Sequence, residues 1–308
     1  MHHRSWLFVP GDSDKKLGKA VSTGADVIVV DLEAGVAPAT RPIARHMAAE
    51  WLAIHRRRIT GGAPMGRWVR INPLDSRLWR EDLVAVMAGA PDGIILPRAA
   101  GPQAVQQLAA ELYELEQANH IPTGSTRIMP QVADLPQAAI AVAAYVEASL
   151  PRLAGLSWDA ENLRDALFAR RVRDPRGGWC DAMRHVRAQV LLAAHARGIF
   201  ALETPHRVLA DEKGLKSATR DARADGFTGM AAIHPLQVPE INTAFAPTED
   251  ELESARALVA AFGKGESDTA IDRRGTGQPE LRQARRVLGM EDEASQPAPP
   301  RAPILRTA

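Results

Sequence analysis

The 308-residue sequence contains a single cysteine, Cys180. One thiol can close no intrachain disulfide and build no zinc cluster, so a reducing compartment is expected, and with it the cytoplasm. An excess of one charge is also missing. Thirty-eight Lys and Arg stand against 37 Asp and Glu, a formal net charge of +1. Proteins that bind nucleic acid or a membrane surface usually carry a basic excess, so neither is an expected partner. No run approaches the roughly 18 apolar residues of a membrane span, and no apolar signal stretch follows Met1. Aromatic residues are only 5% of the chain. The six tryptophans are scattered, which reads as core or interface rather than a base-stacking platform. Four local signatures are absent: the G-x-x-x-x-G-K-S/T phosphate loop, G-x-G-x-x-G after a strand, H-E-x-x-H and G-x-S-x-G.

Hydrophobic residues make up 45% and charged residues 24%, enough for an ordinary globular core. Eight short apolar runs recur along the chain: Ser5–Pro10, Val27–Glu33, Trp68–Asn72, Gly93–Arg98, Arg127–Val132, Leu153–Trp158, Gly198–Glu203 and Gly229–His234. Unbroken apolar runs suit parallel strands covered on both faces. Segments with helical spacing lie between them: Asp14–Thr23, Arg41–Arg58, Arg77–Gly89, Pro102–Asn119, Leu135–Ala148, Glu161–Ala169, Asp181–Ala196 and Asp211–Ala224. Strand then helix, eight times over, predicts a (β/α)8 TIM barrel across residues 1–245; a doubly wound open sheet is the alternative. Residues 246–290 read as a helical extension. In it Thr248 caps a helix over Thr248–Phe262, Gly263–Gly277 is a polar linker, and Gln278–Met290 is a short basic helix. Residues 291–308, with four prolines, read as a disordered tail.

A barrel of this kind works at the C-terminal ends of its strands. Polar residues gather there, at Asp31-Leu32-Glu33, Arg70-Ile71-Asn72, Pro97-Arg98, Gln131 to Asp134, Trp158 to Asn162, Glu203 and His234. Arg70 can hold a carboxylate or enolate oxygen with two parallel hydrogen bonds, or form a structural pair with Glu33. Asp134, Asp159 and Glu161 follow neighbouring strands and can share a hard cation such as Mg²⁺. The competing reading for Asp134 and Asp159 is helix capping. His234, before Pro235, reads more simply as a hydrogen-bonded structural residue than as an acid–base group. Cys180 has no evident partner.

These residues resemble a known family. Arg4-Ser5-Trp6-Leu7-Phe8-Val9-Pro10-Gly11, Val30-Asp31-Leu32-Glu33, Arg70-Ile71-Asn72, Gly93-Ile94-Ile95-Leu96-Pro97, Leu156-Ser157-Trp158 through Leu163, and Gly226-Phe227-Thr228-Gly229 through Gln237 look like the citrate lyase β-subunit-like proteins of the HpcH/HpaI aldolase family. The resemblance runs over about residues 4–290. It implies a (β/α)8 barrel, often oligomeric, that makes or breaks a carbon–carbon bond in acyl-CoA substrates. It also implies Mg²⁺ held by a Glu after strand five and an Asp after strand six, and an oxyanion held by the strand-three arginine, here Arg70. The sequence departs from that pattern at several positions. The strand-five Glu falls on Ala133, with Asp134 beside it, and the strand-six Asp falls on Asn162. The second acid of the D-L-E-D-A-V stretch is Ala34, the lysine after Leu-Pro is Arg98, a further lysine is Met230, and Asp159 replaces a usual Gly.

The expected activity is Mg²⁺-dependent cleavage of a β-hydroxyacyl-CoA of malyl-, citramalyl- or citryl-CoA type into a 2-oxo acid and an acyl-CoA. Arg70 and Glu33 are the candidate catalytic residues, Arg70 and Asp134 the candidate substrate contacts, and Asp134 and Asn162 the candidate metal ligands. The expected partners are the small acyl-CoA or 2-oxo acid substrate and further copies of the chain. A thioesterase on the same scaffold, or a non-catalytic binding or assembly subunit, are the alternatives.

Overall fold

The computed structural model describes residues 3–56, 65–263 and 278–290. Two compact units are present, one spanning His3–Phe245 and one beginning at Ala246.

Eight parallel strands form the first unit: β1 (Ser5–Pro10), β2 (Val27–Asp31), β3 (Gly66–Arg70), β4 (Gly93–Leu96), β5 (Arg127–Pro130), β6 (Gly155–Ser157), β7 (Phe200–Glu203) and β8 (Gly229–Ala232). They pair in the order β5-β4-β3-β2-β1-β8-β7-β6. The two end strands meet through parallel bridges, Ile128 with Leu153 and Gln131 with Ser157. There Ala154 N–H donates to Ile128 O at 2.9 Å and Val132 N–H to Ser157 O at 2.9 Å. The sheet therefore returns on itself as a (β/α)8 barrel.

Every strand is buried on both faces, which explains why the runs look continuous rather than alternating. The period of two is nonetheless real. Trp6, Val27, Val29, Trp68, Ile95, Met129, Leu202 and Ala231 form one cluster inside the barrel. Their neighbours Leu7, Ile28, Val30, Val69 and Ile94 pack outward with the helices. The lower end of the interior is filled by indoles: Trp6 and Trp68 meet edge-on with centroids 4.9 Å apart. Gly93 makes room for them, since a Cβ there would lie 2.4 Å from the Trp68 ring.

The helices that follow the strands are α1 (Asp14–Ala20), α2 (Arg41–Ile54), α3 (Trp79–Met87), α4 (Pro102–Ala118), α5 (Pro136–Ile140), α6 (Ala144–Glu147), α7 (Ala160–Ala166), α8 (Asp181–Ala196), α9 (Glu212–Asp225) and α10 (Val238–Phe245). The single helix expected over Leu135–Ala148 is two short ones. Ala141 N–H is shared between Gln137 O and Ala138 O, which tightens the turn and ends α5. The apolar runs overshoot their strands by one or two residues because the chain turns off the sheet at the rim. In the second unit, α11 (Glu249–Gly263) and α12 (Gln278–Val287) pack on each other. Thr248 and Glu251 exchange reciprocal capping bonds of 2.7 and 3.2 Å, as expected. Nearly all of the expected linker, 264–277, and all of the expected tail, 291–308, lie outside the described residues. No described helix is long and apolar enough to cross a membrane.

Gly93→Ala tests the indole floor. Inserting a methyl group against a rigid ring costs about 1–3 kcal/mol. The expected result is a lowered urea midpoint with an unchanged slope; an unaltered midpoint would show that Trp68 can move aside.

Candidate active site

The strand period determines which polar groups enter the barrel. On β2, Val27 and Val29 face inward, and the next inward position is Asp31. On β3, Trp68 faces inward and the next is Arg70. The two stand side by side in the β2–β3 register. Arg70 Nε donates to Asp31 Oδ1 at 2.8 Å and Nη2 to Asp31 Oδ2 at 2.7 Å. The same carboxylate accepts Glu33 N–H at 3.0 Å and Gly35 N–H at 2.7 Å. Gly35 permits this closure, since a Cβ there would lie 2.7 Å from Asp31 Oδ2.

Four hydrogen bonds thus hold Asp31, and Asp31 holds one edge of Arg70. The other edge, Nη1 and the outer proton of Nη2, is left to face a ligand. The Arg70 guanidinium carbon also lies 4.9 Å from the Phe8 ring centroid. Burial alone would lower the Arg70 pKa, but the charges of Asp31 and Glu33 reverse this and leave it raised. The structural partner of Arg70 is therefore chiefly Asp31. Glu33 stands farther off, its Oε2 3.5 Å from Nε. That oxygen is buried without a hydrogen bond. Burial raises the Glu33 pKa, against the opposing pull of Arg70.

Across the rim, Asp134 is 3% exposed. Its Oδ2 accepts Arg98 N–H at 3.0 Å, while Oδ1 has no hydrogen-bond partner. Arg98 adopts φ 52°, left-handed for a residue with a side chain. Such strain persists where the surroundings enforce it. Its guanidinium reaches Asp75 at 3.0 Å. Burial pushes the Asp134 carboxyl up to about 7, with Asp159 adding and the Arg98 amide, Arg70 and Asn162 opposing. Asp134 does not cap α5. It lies within electrostatic reach of Arg70 and Asp159 and within hydrogen-bonding reach of the Asn162 side chain, whereas Ala133 packs into the core.

Asp159 behaves as a cap. Its Oδ1 accepts Glu161 N–H at 2.9 Å and Asn162 N–H at 3.2 Å, and its Oδ2 accepts Arg207 Nη2 at 2.5 Å. Both oxygens of Asp159 are engaged, and one oxygen of Glu161 is held by Arg164. Glu203 turns outward, held by Trp158 Nε1 at 2.8 Å, Thr204 N–H at 3.0 Å and Arg187 Nε at 2.5 Å. His234 caps the turn Pro235–Gln237, its Nδ1 accepting Leu236 N–H at 3.2 Å. The structure thus brings Glu33, Arg70, Asp134 and Asn162 to one end of the barrel. To these it adds Asp31, Arg98, Arg207 and Gln131, whose buried Oε1 also lacks a partner. Asp31 and Gln131 are visible in the sequence as polar residues closing apolar runs; Arg207 carries no such signal.

No cluster of three or more His, Cys, Asp or Glu side chains suited to a metal exists among the described residues. Mg²⁺ needs less, often one or two carboxylates with the remaining positions taken by water and substrate. The orphaned Asp134 Oδ1 beside the Asn162 carboxamide fits a site of that low charge.

The HpcH/HpaI aldolase/citrate lyase family model matches residues 4–235. The chain belongs to that family. It is 33% identical over 290 residues to the citrate lyase subunit beta-like protein of Mycobacterium tuberculosis strain H37Rv, covering 94% of this chain and 96% of that one. It is 31% identical over 265 residues to the (3S)-malyl-CoA thioesterase of Cereibacter sphaeroides strain ATCC 17025, covering 85% and 84%. Protein CitE of Mycobacterium tuberculosis, in complex with magnesium, acetoacetate and coenzyme A, superposes with a TM-score of 0.68 at 30% identity, over 94% of this chain and 98% of that one. The family thus holds lyase subunits and thioesterases on one barrel, and solved relatives bind Mg²⁺.

Asp134 makes a testable contribution to stability. Its pKa in the fold is raised, so ionising it there is harder than in the unfolded chain. Stability is therefore lost as pH climbs from the ordinary carboxylate range, about 4, through the raised value. Asp134→Asn, which cannot ionise, should melt higher than the parent at pH 8, by roughly 2–4 °C for each kcal/mol recovered. At pH 4 the two should melt alike. A variant that melts lower at pH 8 would show the carboxylate to be stabilised in the fold.

Proposed function

We propose that the chain is a Mg²⁺-dependent carbon–carbon lyase. Its substrate is a β-hydroxyacyl-CoA of malyl-, citramalyl- or citryl-CoA type, and its products are a 2-oxo acid and an acyl-CoA. One observation carries the reading: the open edge of a clamped guanidinium, Arg70, shares the rim with an unpartnered carboxylate oxygen, that of Asp134.

In such a cleavage the β-hydroxyl gives up its proton and its oxygen becomes the carbonyl of the oxo acid. The Cα–Cβ bond breaks, and its electron pair passes to the thioester as an enolate that is then protonated. Charge thus appears first on the hydroxyl oxygen and then on the enolate. Fixed donors at those oxygens lower the barrier because they need no reorganisation. Arg70 supplies two such donors on its open edge, held in place by Asp31. Glu33 is the proton carrier of this reading. Its free Oε2 lies beside Arg70, and a carboxyl of raised pKa exchanges protons more readily near neutral pH. Asp134 Oδ1 and the Asn162 carbonyl would hold Mg²⁺, which supplies Lewis-acid polarisation of the oxo-acid oxygens.

Hydrolysis of the thioester on the same site is the second reading, favoured by the 31% identity to a malyl-CoA thioesterase. A panel of hydroxyacyl-CoA thioesters with Mg²⁺, assayed separately for free CoA and for 2-oxo acid, decides. Oxo acid with acyl-CoA supports the lyase. Free CoA without oxo acid supports the thioesterase. Absence of both leaves a binding subunit.

Two substitutions test the residue roles. Arg70→Lys keeps the charge and loses the fork. Its kcat/KM should fall by roughly 100–1,000-fold, the scale of one transition-state donor, with the circular dichroism spectrum retained. An unchanged kcat/KM would remove Arg70 from the chemistry. Asn162→Asp adds a second anionic oxygen at nearly constant size. Calorimetric titration with Mg²⁺ should show tighter binding than in the parent, and Asp159→Gly should lose only about 0.3 kcal/mol as a helix cap without losing Mg²⁺. Loss of Mg²⁺ in Asp159→Gly would instead make that residue a ligand.

A further inference from the structure

A cavity of about 400 Å³ lies outside the barrel wall, between β7, β8 and the helices α8 and α9. The excursion between α7 and α8 roofs it. Its volume falls within the range of small-ligand sites. Arg70, Asp134 and Asn162 do not line it, although the rim residues Glu161 and Arg207 do, so it adjoins the mouth without including those three groups.

Three guanidiniums face this space: Arg173, Arg187 and Arg207. Two are neutralised. Arg187 is held by Glu203 at 2.5 Å and Asp225 at 2.6 Å, and Arg207 by Asp159 at 2.5 Å. Arg173 differs. It lies 3.7 Å over the Trp179 ring centroid and donates from Nη1 to Gly177 O at 2.8 Å. No carboxylate among the described residues stands within ion-pair distance of it. A guanidinium does not shed its proton, so this half-buried charge persists. Burial, with Arg187 adding to it, lowers the Arg173 pKa, against the pull of Glu203 and Asp221.

The roof is prebuilt. Asp174 accepts Arg176 N–H at 2.8 Å and Gly178 N–H at 3.0 Å, and Cys180 N–H reaches back to Val172 O at 3.0 Å. This tight turn sets Arg173 and Trp179 side by side without a ligand. The remaining carboxylates around the space limit what can enter. Glu203 and Asp225 are spent on Arg187, and Glu161 on Arg164. Asp221 is engaged only by Ser217 Oγ, at 3.5 Å. A dianion would be repelled by this ring of acids. One negative charge carried on an apolar body would be matched by Arg173 and by Val172, Ala218 and Met230.

We propose that this cavity is a second ligand site that holds a small monocarboxylic acid, its carboxylate on Arg173 and its alkyl body against Val172, Ala218 and Met230. The site does not depend on the chemistry at the mouth.

Calorimetric titration of the full chain with butyrate tests it. Butyrate should bind one-to-one with a dissociation constant of about 1 mM. Binding should be tenfold or more weaker in Arg173→Gln, about what one charge-assisted hydrogen bond contributes, tighter in Asp221→Asn, which removes a repelling acid from the lining, and unaltered in Asp134→Asn. Ala218→Leu fills the cavity and leaves Arg173 in place; it should also lose butyrate, which keeps the test decisive if Arg173→Gln misfolds. Butyramide, isosteric but neutral, should not bind. Equal affinity in Arg173→Gln and Ala218→Leu, or no heat from the parent up to about 50 mM butyrate, would overturn the proposal. Loss of binding in Asp134→Asn would place butyrate at the mouth and overturn it equally. Inorganic phosphate binding with the same dependence on Arg173 would overturn the assignment to a monocarboxylate.

Discussion

The mouth of this barrel depends on one buried ion pair. A guanidinium that is 8% exposed needs full compensation, and Asp31 provides it with two parallel bonds. Asp31 is compensated in turn by two backbone N–H groups from the loop that follows it. The pair therefore ties β2, β3 and the β2–α2 loop into one unit. A charge held on one edge by a fixed partner cannot swing to meet a ligand. The ligand must come to it, which is the condition for preorganised electrostatics.

The rim around that pair is unusual in how it spends its acids. Three carboxylates, Asp134, Asp159 and Glu161, lie on two neighbouring loops, yet only Asp134 has a buried oxygen without a partner. Asp159 has one oxygen on the N-terminus of α7 and the other on Arg207. The field of Asp159 still reaches the mouth, where it raises the Asp134 pKa and helps to raise that of Arg70. A cation near Asp134 would relieve both the repulsion from Asp159 and the cost of burial.

The eight strands are legible in the sequence because each is a short, mostly apolar run, several of them rich in Val and Ile, and because helical spacing separates them. Legibility ends where position depends on distant residues. Asp31 sits in an all-apolar strand, where two-sided burial erases the alternation that would mark it as inward. The capping role of Asp159 is a local signal, but its second partner, Arg207, is 48 residues away. Asp134 is visible as an acid at a strand end. That Asp134 and not Ala133 turns away from the core depends on how the chain leaves the sheet after Val132, which no local pattern encodes. Arg98 offers no hint of its left-handed backbone, in which its N–H donates to Asp134 Oδ2. The family resemblance points to this end of the barrel and to Arg70, while the departures at Ala133, Asn162 and Asp159 acquire meaning only from the hydrogen bonds.

The indole floor fixes the direction of access. With Trp6 and Trp68 packed across its lower end and aliphatic side chains filling the interior above them, the barrel gives no passage from below, so whatever reaches Arg70 comes from the rim.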